Sequence, residues 1–191
     1  MLRLFIAVDL PAEIREQVAR MMNEVHNARW VKAEQLHITL RFLGDTPEAE
    51  LPANRDRLAR VHQPPFAIKL RGPGVFPEIS QTRGKTPKVL WLGIEPAVDL
   101  AALKQAVDDA LAIETTKKSM QKQDFSPHLT LARFPSPTDT SLSRFLATNK
   151  DYFSPDWCVD HFHLYQSTLR PEGALHEQLA SYRLAQSPYR E

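Results

Sequence analysis

The sequence is poor in cysteine and has almost no net charge, and both features exclude functions. Its 191 residues include one cysteine, Cys158, so neither an intrachain disulfide nor a cysteine-based zinc motif can form. Twenty-four Lys and Arg side chains oppose 23 Asp and Glu, which gives a formal net charge of +1. A protein that coats a nucleic-acid duplex is usually far more basic. A short, local contact with a nucleic acid remains compatible with this composition.

Long apolar runs are also missing. A helix that crosses a bilayer needs roughly 20 apolar residues, and no stretch of the chain approaches that length. Near the start, Asp9 interrupts the short apolar run at residues 4–8, which is unlike a secretory signal. We therefore expect a soluble protein in a reducing compartment, with the cytoplasm as the default location.

Strand and helix patterns are interleaved along the chain. Apolar, β-branched clusters predict strands at residues 3–10, 36–43, 66–70, 89–94, 128–134 and 159–165. Apolar residues at helical spacing predict helices at 12–25, 98–113 and 141–148. Thr46 is expected to cap a further helix, and residues 176–185 fit either a strand or a helix. The pattern predicts an α+β fold over residues 1–191, one domain with mostly antiparallel sheets and helices on one face.

One four-residue pattern occurs twice, nearly half a chain length apart. The two copies are His37-Ile38-Thr39-Leu40 and His128-Leu129-Thr130-Leu131, each within a predicted strand. Because side chains alternate along a strand, the histidine and threonine of each copy project from one face, and the two apolar residues project from the other. A single His-x-Thr triplet arises easily by chance. Two copies in matched settings are the strongest signal in the sequence.

Two facing histidines suit general acid–base chemistry. Imidazole titrates near pH 6.5, so one ring can be neutral while the other is protonated. The neutral ring takes a proton from a nucleophile and the protonated ring gives one to a leaving oxygen, as hydrolysis of a phosphodiester requires. Threonine hydroxyls can stabilise the charge on the phosphoryl oxygens. This scheme needs no metal and no cofactor. The competing interpretation is a pair of strands with a polar face and no catalytic role.

At these residues the chain resembles the 2H phosphoesterase superfamily. More narrowly, it resembles the RNA 2′,3′-cyclic phosphodiesterases, a branch also called 2′-5′ RNA ligases. Similar segments follow in the same order along nearly the whole chain, namely RLFIAVDLP, LHITLRFLG, KVLWLGI, FSPHLTLARF and FHLYQSTLRPEG. The resemblance implies a bilobal, pseudo-symmetric fold of two mostly antiparallel sheets with helices on the outer faces. Each lobe would contribute one His-x-Thr motif to a central cleft.

The resemblance also implies an activity, the hydrolysis of a terminal RNA 2′,3′-cyclic phosphate to a 2′-phosphate. His37 matches the general acid toward the 3′ leaving oxygen, and His128 matches the general base on water. Thr39 and Thr130 match phosphate-binding hydroxyls, and Arg133 matches an arginine that holds a phosphate. The motifs themselves are symmetric between acid and base. The implied partners are RNA ends with a cyclic phosphate, including tRNA fragments, or cyclic nucleotides; we expect a monomer that binds no membrane.

Strict strand alternation makes opposite predictions for two arginines. Counted from His128, it places Arg133 on the core face, and the side chain reaches the cleft only if the strand ends or twists. Counted from His37, it places Arg41 on the cleft face. Either arginine would otherwise form an ordinary surface ion pair of small energetic value.

Other interpretations use the same features. Ligation of RNA ends through a 2′-5′ bond is the reverse chemistry at the same site. A non-catalytic RNA or nucleotide binder would also keep the cleft, although two intact His-x-Thr motifs argue against it. Farther along, His161 and His163 lie at strand spacing. A metal site usually needs three or more ligands, so we expect these two rings to face solvent.

Overall fold

A computed structural model of the chain describes residues 1–78, 86–112, 125–170 and 173–185. Its strands are β1 (Leu2–Asp9), β2 (Arg29–Trp30), β3 (His37–Thr46), β4 (Phe66–Phe76), β5 (Val89–Glu95), β6 (His128–Arg133), β7 (Trp157–Val159), β8 (His161–Arg170) and β9 (Gly173–Arg183). Its helices are α1 (Ala12–Met21), α2 (Leu51–Leu58), α3 (Val98–Leu111) and α4 (Thr140–Thr148). The predicted α+β class is confirmed.

The strands form a continuous antiparallel series. Their order is β7-β4-β5-β6-β3-β1-β8-β9, and β2 lies beside β6. At the centre, β3 and β6 meet through a single residue pair, Ile38 opposite Leu129. On each side of this contact, two neighbouring antiparallel strands are joined by a helix: β1, α1 and β3 on one side, and β5, α3 and β6 on the other. The motif repeated in the sequence thus begins the second strand of a unit repeated in the fold.

The apolar residues of the two motifs lie in the hydrophobic core. Ile38, Leu40, Leu129 and Leu131 are between 0% and 3% exposed. They belong to one cluster that also contains the buried side chains of the helices, among them Ile14 and Val18 of α1 and Leu100, Leu103 and Val107 of α3. Burying a Leu or Ile side chain contributes roughly 1.5–3 kcal/mol. The burial of this face leaves the histidines and threonines on the opposite face.

Several boundaries differ from the sequence expectations for local reasons. Helix α1 ends at Met21, short of the predicted residue 25, because Met22 is extended and Asn23 has a φ of 73°. Thr46 ends β3 and does not cap a helix; its hydroxyl donates to the carbonyl oxygen of Gly44. The segment at 176–185 belongs mostly to strand β9. None of the helices in the described ranges is long and apolar enough to span a membrane.

Candidate active site

The two motifs meet at the middle of the sheet. Because β3 and β6 run antiparallel through Ile38 and Leu129, the register one residue to either side sets His37 opposite Thr130 and Thr39 opposite His128. Both histidines and both threonines are half-buried. The structure therefore brings the four predicted residues of the two motifs together on the face away from the helices.

Each catalytic candidate histidine is fixed by a backbone carbonyl two residues earlier. Nδ1 of His37 lies 2.7 Å from the carbonyl oxygen of Gln35, and Nδ1 of His128 lies 2.9 Å from that of Ser126. A carbonyl oxygen can only accept, so Nδ1 carries the hydrogen at both rings. Nε2 of each ring is then the atom left to accept or donate a proton.

The second motif ends in a β-bulge, which interrupts the alternation of side chains. Thr130 lies opposite Trp91 and Ala132 lies opposite Leu90, so Leu131 is an extra residue in β6. Directly opposite residues on neighbouring strands share a face. In agreement, Leu131, Ala132 and Leu90 are all 0% exposed. The inward and outward positions of β6 therefore shift by one residue after Leu131.

The bulge decides the position of Arg133. This residue lies opposite Val89, beyond the extra residue, and so returns to the face of His128 and Thr130. Its side chain is exposed. The core position that strict alternation predicted for Arg133 is wrong, because alternation holds only while the strand contains no extra residue.

Arg41 is displaced in the opposite sense by an equivalent bulge. In β3, Thr39 lies opposite Ala7 and Arg41 lies opposite the fully buried Ile6. The guanidinium donates to Oδ1 of Asp108 on α3 at 2.8 Å. The cleft position that alternation predicted for Arg41 is therefore wrong, since the bulge turns this side chain toward the helix layer.

Phe42 takes the cleft position instead. It lies opposite Phe5, its ring centroid is 6.1 Å from that of Phe5, and it is 70% exposed. Phe42 and Arg133 are equivalent, because each follows the histidine of its motif by five residues and one bulge. One half of the site thus presents an exposed aromatic ring, and the other half presents a cation.

Aromatic rings of other strands surround His37. The ring of Phe5 is 4.9 Å away, and the ring of His176 on β9 is 5.4 Å away and edge-on. Burial lowers the pKa of His37, opposed by its hydrogen bond to Gln35 and by the charge of Asp9. Burial, and then the neighbouring His37, lower the pKa of His176. His176 is not among the residues that the sequence predicts for the site, since no local pattern shows that β9 lies beside the first motif.

The surroundings of His128 come from β4 and β5. The ring of Phe76 is 5.1 Å away and edge-on, and the ring of Trp91 is 6.3 Å away. The rings of Phe76 and Trp91 are 5.0 Å apart. Trp91 lies across Gly74, where a Cβ atom would be 2.2 Å from the indole. A glycine at this position is therefore what allows the indole to lie beside His128.

A polar network lies next to His37 at the end of β1. Asp9 is opposite His37 in the register, and it accepts from the hydroxyl of Tyr165 at 2.7 Å and 2.9 Å. Nε2 of His163 is 3.7 Å from Asp9, and its side chain is only 13% exposed. The expectation that both His161 and His163 face solvent is therefore wrong for His163.

Within the described ranges, no group of three or more His, Cys, Asp or Glu residues is arranged to hold a metal ion.

Two His-x-Thr strands that meet on one face are the arrangement that the resemblance to the 2H phosphoesterases predicts. The structure is similar to the crystal structure of E. coli LigT complexed with 3′-AMP, with a TM-score of 0.73 and 28% sequence identity, covering 97% of this chain and 99% of that one. The similarity in sequence and fold thus extends over nearly the whole of both chains.

Two curated relatives cover nearly the same length. The RNA 2′,3′-cyclic phosphodiesterase of Thermus thermophilus is 35% identical over 96% of this chain and 90% of its own. That of Archaeoglobus fulgidus is 33% identical over 93% of this chain and 98% of its own. The sequence model of the 2′-5′ RNA ligase superfamily matches residues 10–170. The chain belongs to this superfamily, as the resemblance seen in its sequence implied.

Proposed function

We propose that the protein hydrolyses terminal RNA 2′,3′-cyclic phosphates to 2′-phosphates by acid–base catalysis with two histidines. The observation that carries the proposal is the meeting of the two His-x-Thr strands, with Nδ1 of each ring held by a carbonyl oxygen and Nε2 available. The superfamily and the activity named for the two curated relatives support this reaction.

In the proposed reaction the cyclic phosphate lies between the two rings. Neutral Nε2 of His128 removes a proton from water as the water oxygen forms a bond to phosphorus. The bond from phosphorus to the 3′ oxygen breaks, and Nε2 of protonated His37 gives its proton to that oxygen. The product carries a 2′-phosphate and a 3′-hydroxyl. The geometry of the two rings is alike and does not distinguish the acid from the base. The roles assigned to His37 and His128 therefore follow those of the superfamily.

The protonation of His37 depends on two opposing influences, burial of the ring and the charge of a bound phosphate. Burial lowers the pKa of His37 and so favours the neutral ring in the free protein. An anionic phosphate close to the ring favours the protonated form. An acid role for His37 therefore requires that the charge of the bound phosphate outweigh the effect of burial on the pKa of the ring.

The remaining groups on this face bind the substrate. The hydroxyls of Thr39 and Thr130 donate to the non-bridging oxygens, where they stabilise the negative charge of the transition state. Arg133, exposed on the same face, binds a phosphate of the substrate through its planar guanidinium. Phe42 offers an exposed ring on which a base can stack.

The proposed substrates are RNA ends with a 2′,3′-cyclic phosphate, among them tRNA fragments, and cyclic nucleotides. We also infer that the protein works as a monomer, one domain of two lobes, because one chain supplies both motifs of the site. A cytoplasmic location is proposed from the single cysteine, which suits a reducing compartment.

The test is an assay on nucleoside 2′,3′-cyclic phosphates in excess chelator, with wild type, His37→Ala and His128→Ala. We expect the 2′-phosphate product from the wild type and a loss of about 10²–10⁴-fold in kcat from each variant, since that is the usual contribution of a general acid or base. His62→Ala, which changes an exposed histidine, is the matched control and should keep its activity.

Other outcomes would contradict particular parts of the proposal. Turnover retained in both motif variants would refute the two-histidine mechanism. Activity lost in chelator would show a requirement for metal. A 3′-phosphate product would reverse the assignment of the leaving oxygen, and joined RNA ends would show ligation in place of hydrolysis. A bell-shaped pH profile is expected for an acid and a base acting together.

A further inference from the structure

Two exposed arginines lie directly opposite each other next to the second motif. Arg29 of β2 pairs with Arg133 of β6, and both side chains are exposed. Neither guanidinium forms an ion pair or a hydrogen bond to another of the described residues. Like charges directly opposite on neighbouring strands are destabilising. An anion bound between the two cations would remove this repulsion.

Strand β2 holds Arg29 in a fixed position. The ring of Trp30 packs edge-on against that of Phe145 at 6.1 Å, and the amide of Val31 donates to the carbonyl oxygen of Leu131 at 2.8 Å. Trp30 lies opposite Ala132, on the core side of the sheet. Its neighbour Arg29 therefore projects from the other face, the one that carries Thr130.

We propose that Arg29 and Arg133 together bind a backbone phosphate of the RNA chain that precedes the cyclic end. The inference rests on the proposed function, and it adds that the enzyme prefers oligonucleotide ends to mononucleotides. Two planar guanidinium groups can each donate paired hydrogen bonds to phosphate oxygens, and their charges are then neutralised.

The spacing along β6 places this subsite next to the catalytic one. Arg133 follows Thr130 by three residues, a distance of at most about 10 Å along a strand. That places the arginine pair beside the proposed position of the cyclic phosphate. At the equivalent position in the other half of the site is the exposed ring of Phe42. The RNA chain therefore leaves the site across β6 and β2.

The experiment compares two substrates, a nucleoside 2′,3′-cyclic phosphate and a trinucleotide that ends in the same group. We expect Arg29→Ala to lower the ratio of kcat/KM for the trinucleotide to that for the mononucleotide by about tenfold, the usual effect of losing a charged hydrogen bond. Arg29→Lys keeps the charge but not the planar guanidinium, so its ratio should lie between those of the wild type and Arg29→Ala. Arg20→Ala removes an exposed arginine of α1 and should leave the ratio unchanged.

Two further measurements identify the ligand as the backbone phosphate. The dependence of log kcat/KM on log salt for the trinucleotide should become shallower by about 0.7 in Arg29→Ala, the slope for one phosphate contact with a single strand. The wild type should not prefer a trinucleotide with an uncharged methylphosphonate before its last nucleotide to the mononucleotide. With this substrate, Arg29→Ala should cause no further loss in kcat/KM.

The failures of the two proposals are distinguishable. If wild type hydrolyses neither substrate, the proposed function itself is wrong. If wild type hydrolyses both and Arg29→Ala gives the same ratio as Arg20→Ala, the proposed arginine subsite is wrong. The proposed hydrolysis is unaffected by that result. An effect of Arg29→Ala that persists with the methylphosphonate would also overturn the subsite. Activity on the mononucleotide, measured in the same sample, shows that each variant is folded.

Discussion

Replacing Gly74 with alanine tests whether the position of the Trp91 ring supports His128. A Cβ atom on Gly74 would lie 2.2 Å from Cζ2 and 2.3 Å from Cη2 of the indole. Carbon atoms in ordinary contact are about 3.5–4.0 Å apart, so the ring or the strand must move by roughly 1 Å or more. A third atom, Cε2, would be 2.8 Å away, and all three atoms belong to the rigid six-membered ring, so the side chain cannot bend out of the way.

The cost of this displacement has two parts. Overpacking of a well-packed position typically costs about 1–3 kcal/mol, and each kcal/mol lowers Tm by roughly 2–4 °C in a protein of this size. Trp91 also packs against Phe76, and both rings border His128. A shift of about 1 Å in a catalytic group can cost about 100-fold in rate. We therefore expect Gly74→Ala to lose far more in kcat than its change in Tm accounts for.

The assay measures Tm by thermal unfolding and kcat on a nucleoside 2′,3′-cyclic phosphate. The matched control is the double variant Gly74→Ala with Trp91→Phe, because phenylalanine is smaller and lacks Cζ2 and Cη2, the two atoms with the shortest contacts. It should recover kcat relative to Gly74→Ala alone. Wild-type kcat and Tm in Gly74→Ala would refute the reasoning, since the indole would then move without consequence. If the double variant does not recover kcat, the alanine acts through the backbone of β4 and not through the indole.

Two further predictions concern the charges around the first motif. Asp9→Asn removes a negative charge that raises the pKa of His37, so the limb of the pH profile of kcat/KM that reports His37 should move to lower pH; an unmoved profile would contradict this. Arg41→Ala should cost about 1 kcal/mol of stability, seen as a slightly lower Tm, because Asp108 keeps its ion pair with Lys104. Its kcat/KM should stay at the wild-type value. A raised KM would show that Arg41 contacts the substrate in the cleft.

The two bulges show why side-chain positions near the site were predictable only in part. His37 and Thr39 share a face because they are two residues apart within a regular strand, and the same holds for the second motif. The fourth residue of each motif, Leu40 or Leu131, is an extra residue that reverses the alternation after it. Arg41 and Arg133 therefore each lie on the face opposite to the one that strict alternation predicts. A bulge is a property of two paired strands. The sequence of one strand alone therefore does not predict where a bulge occurs.

The sequence by itself determined the chemistry of the site: two imidazoles and two hydroxyls, each pair placed on one face by the two-residue period of a strand. It also determined the helix and strand layers, because the buried apolar residues recur at the period of each element. The tertiary structure decided what surrounds that chemistry. It set Phe5 and His176 beside one ring and Phe76 and Trp91 beside the other, and it set Arg29 opposite Arg133. These neighbours come from strands distant in the chain, and burial beneath them lowers the pKa of His37. The two motifs are therefore alike in sequence but differ in environment, because each environment depends on strand pairing and packing across the whole sheet.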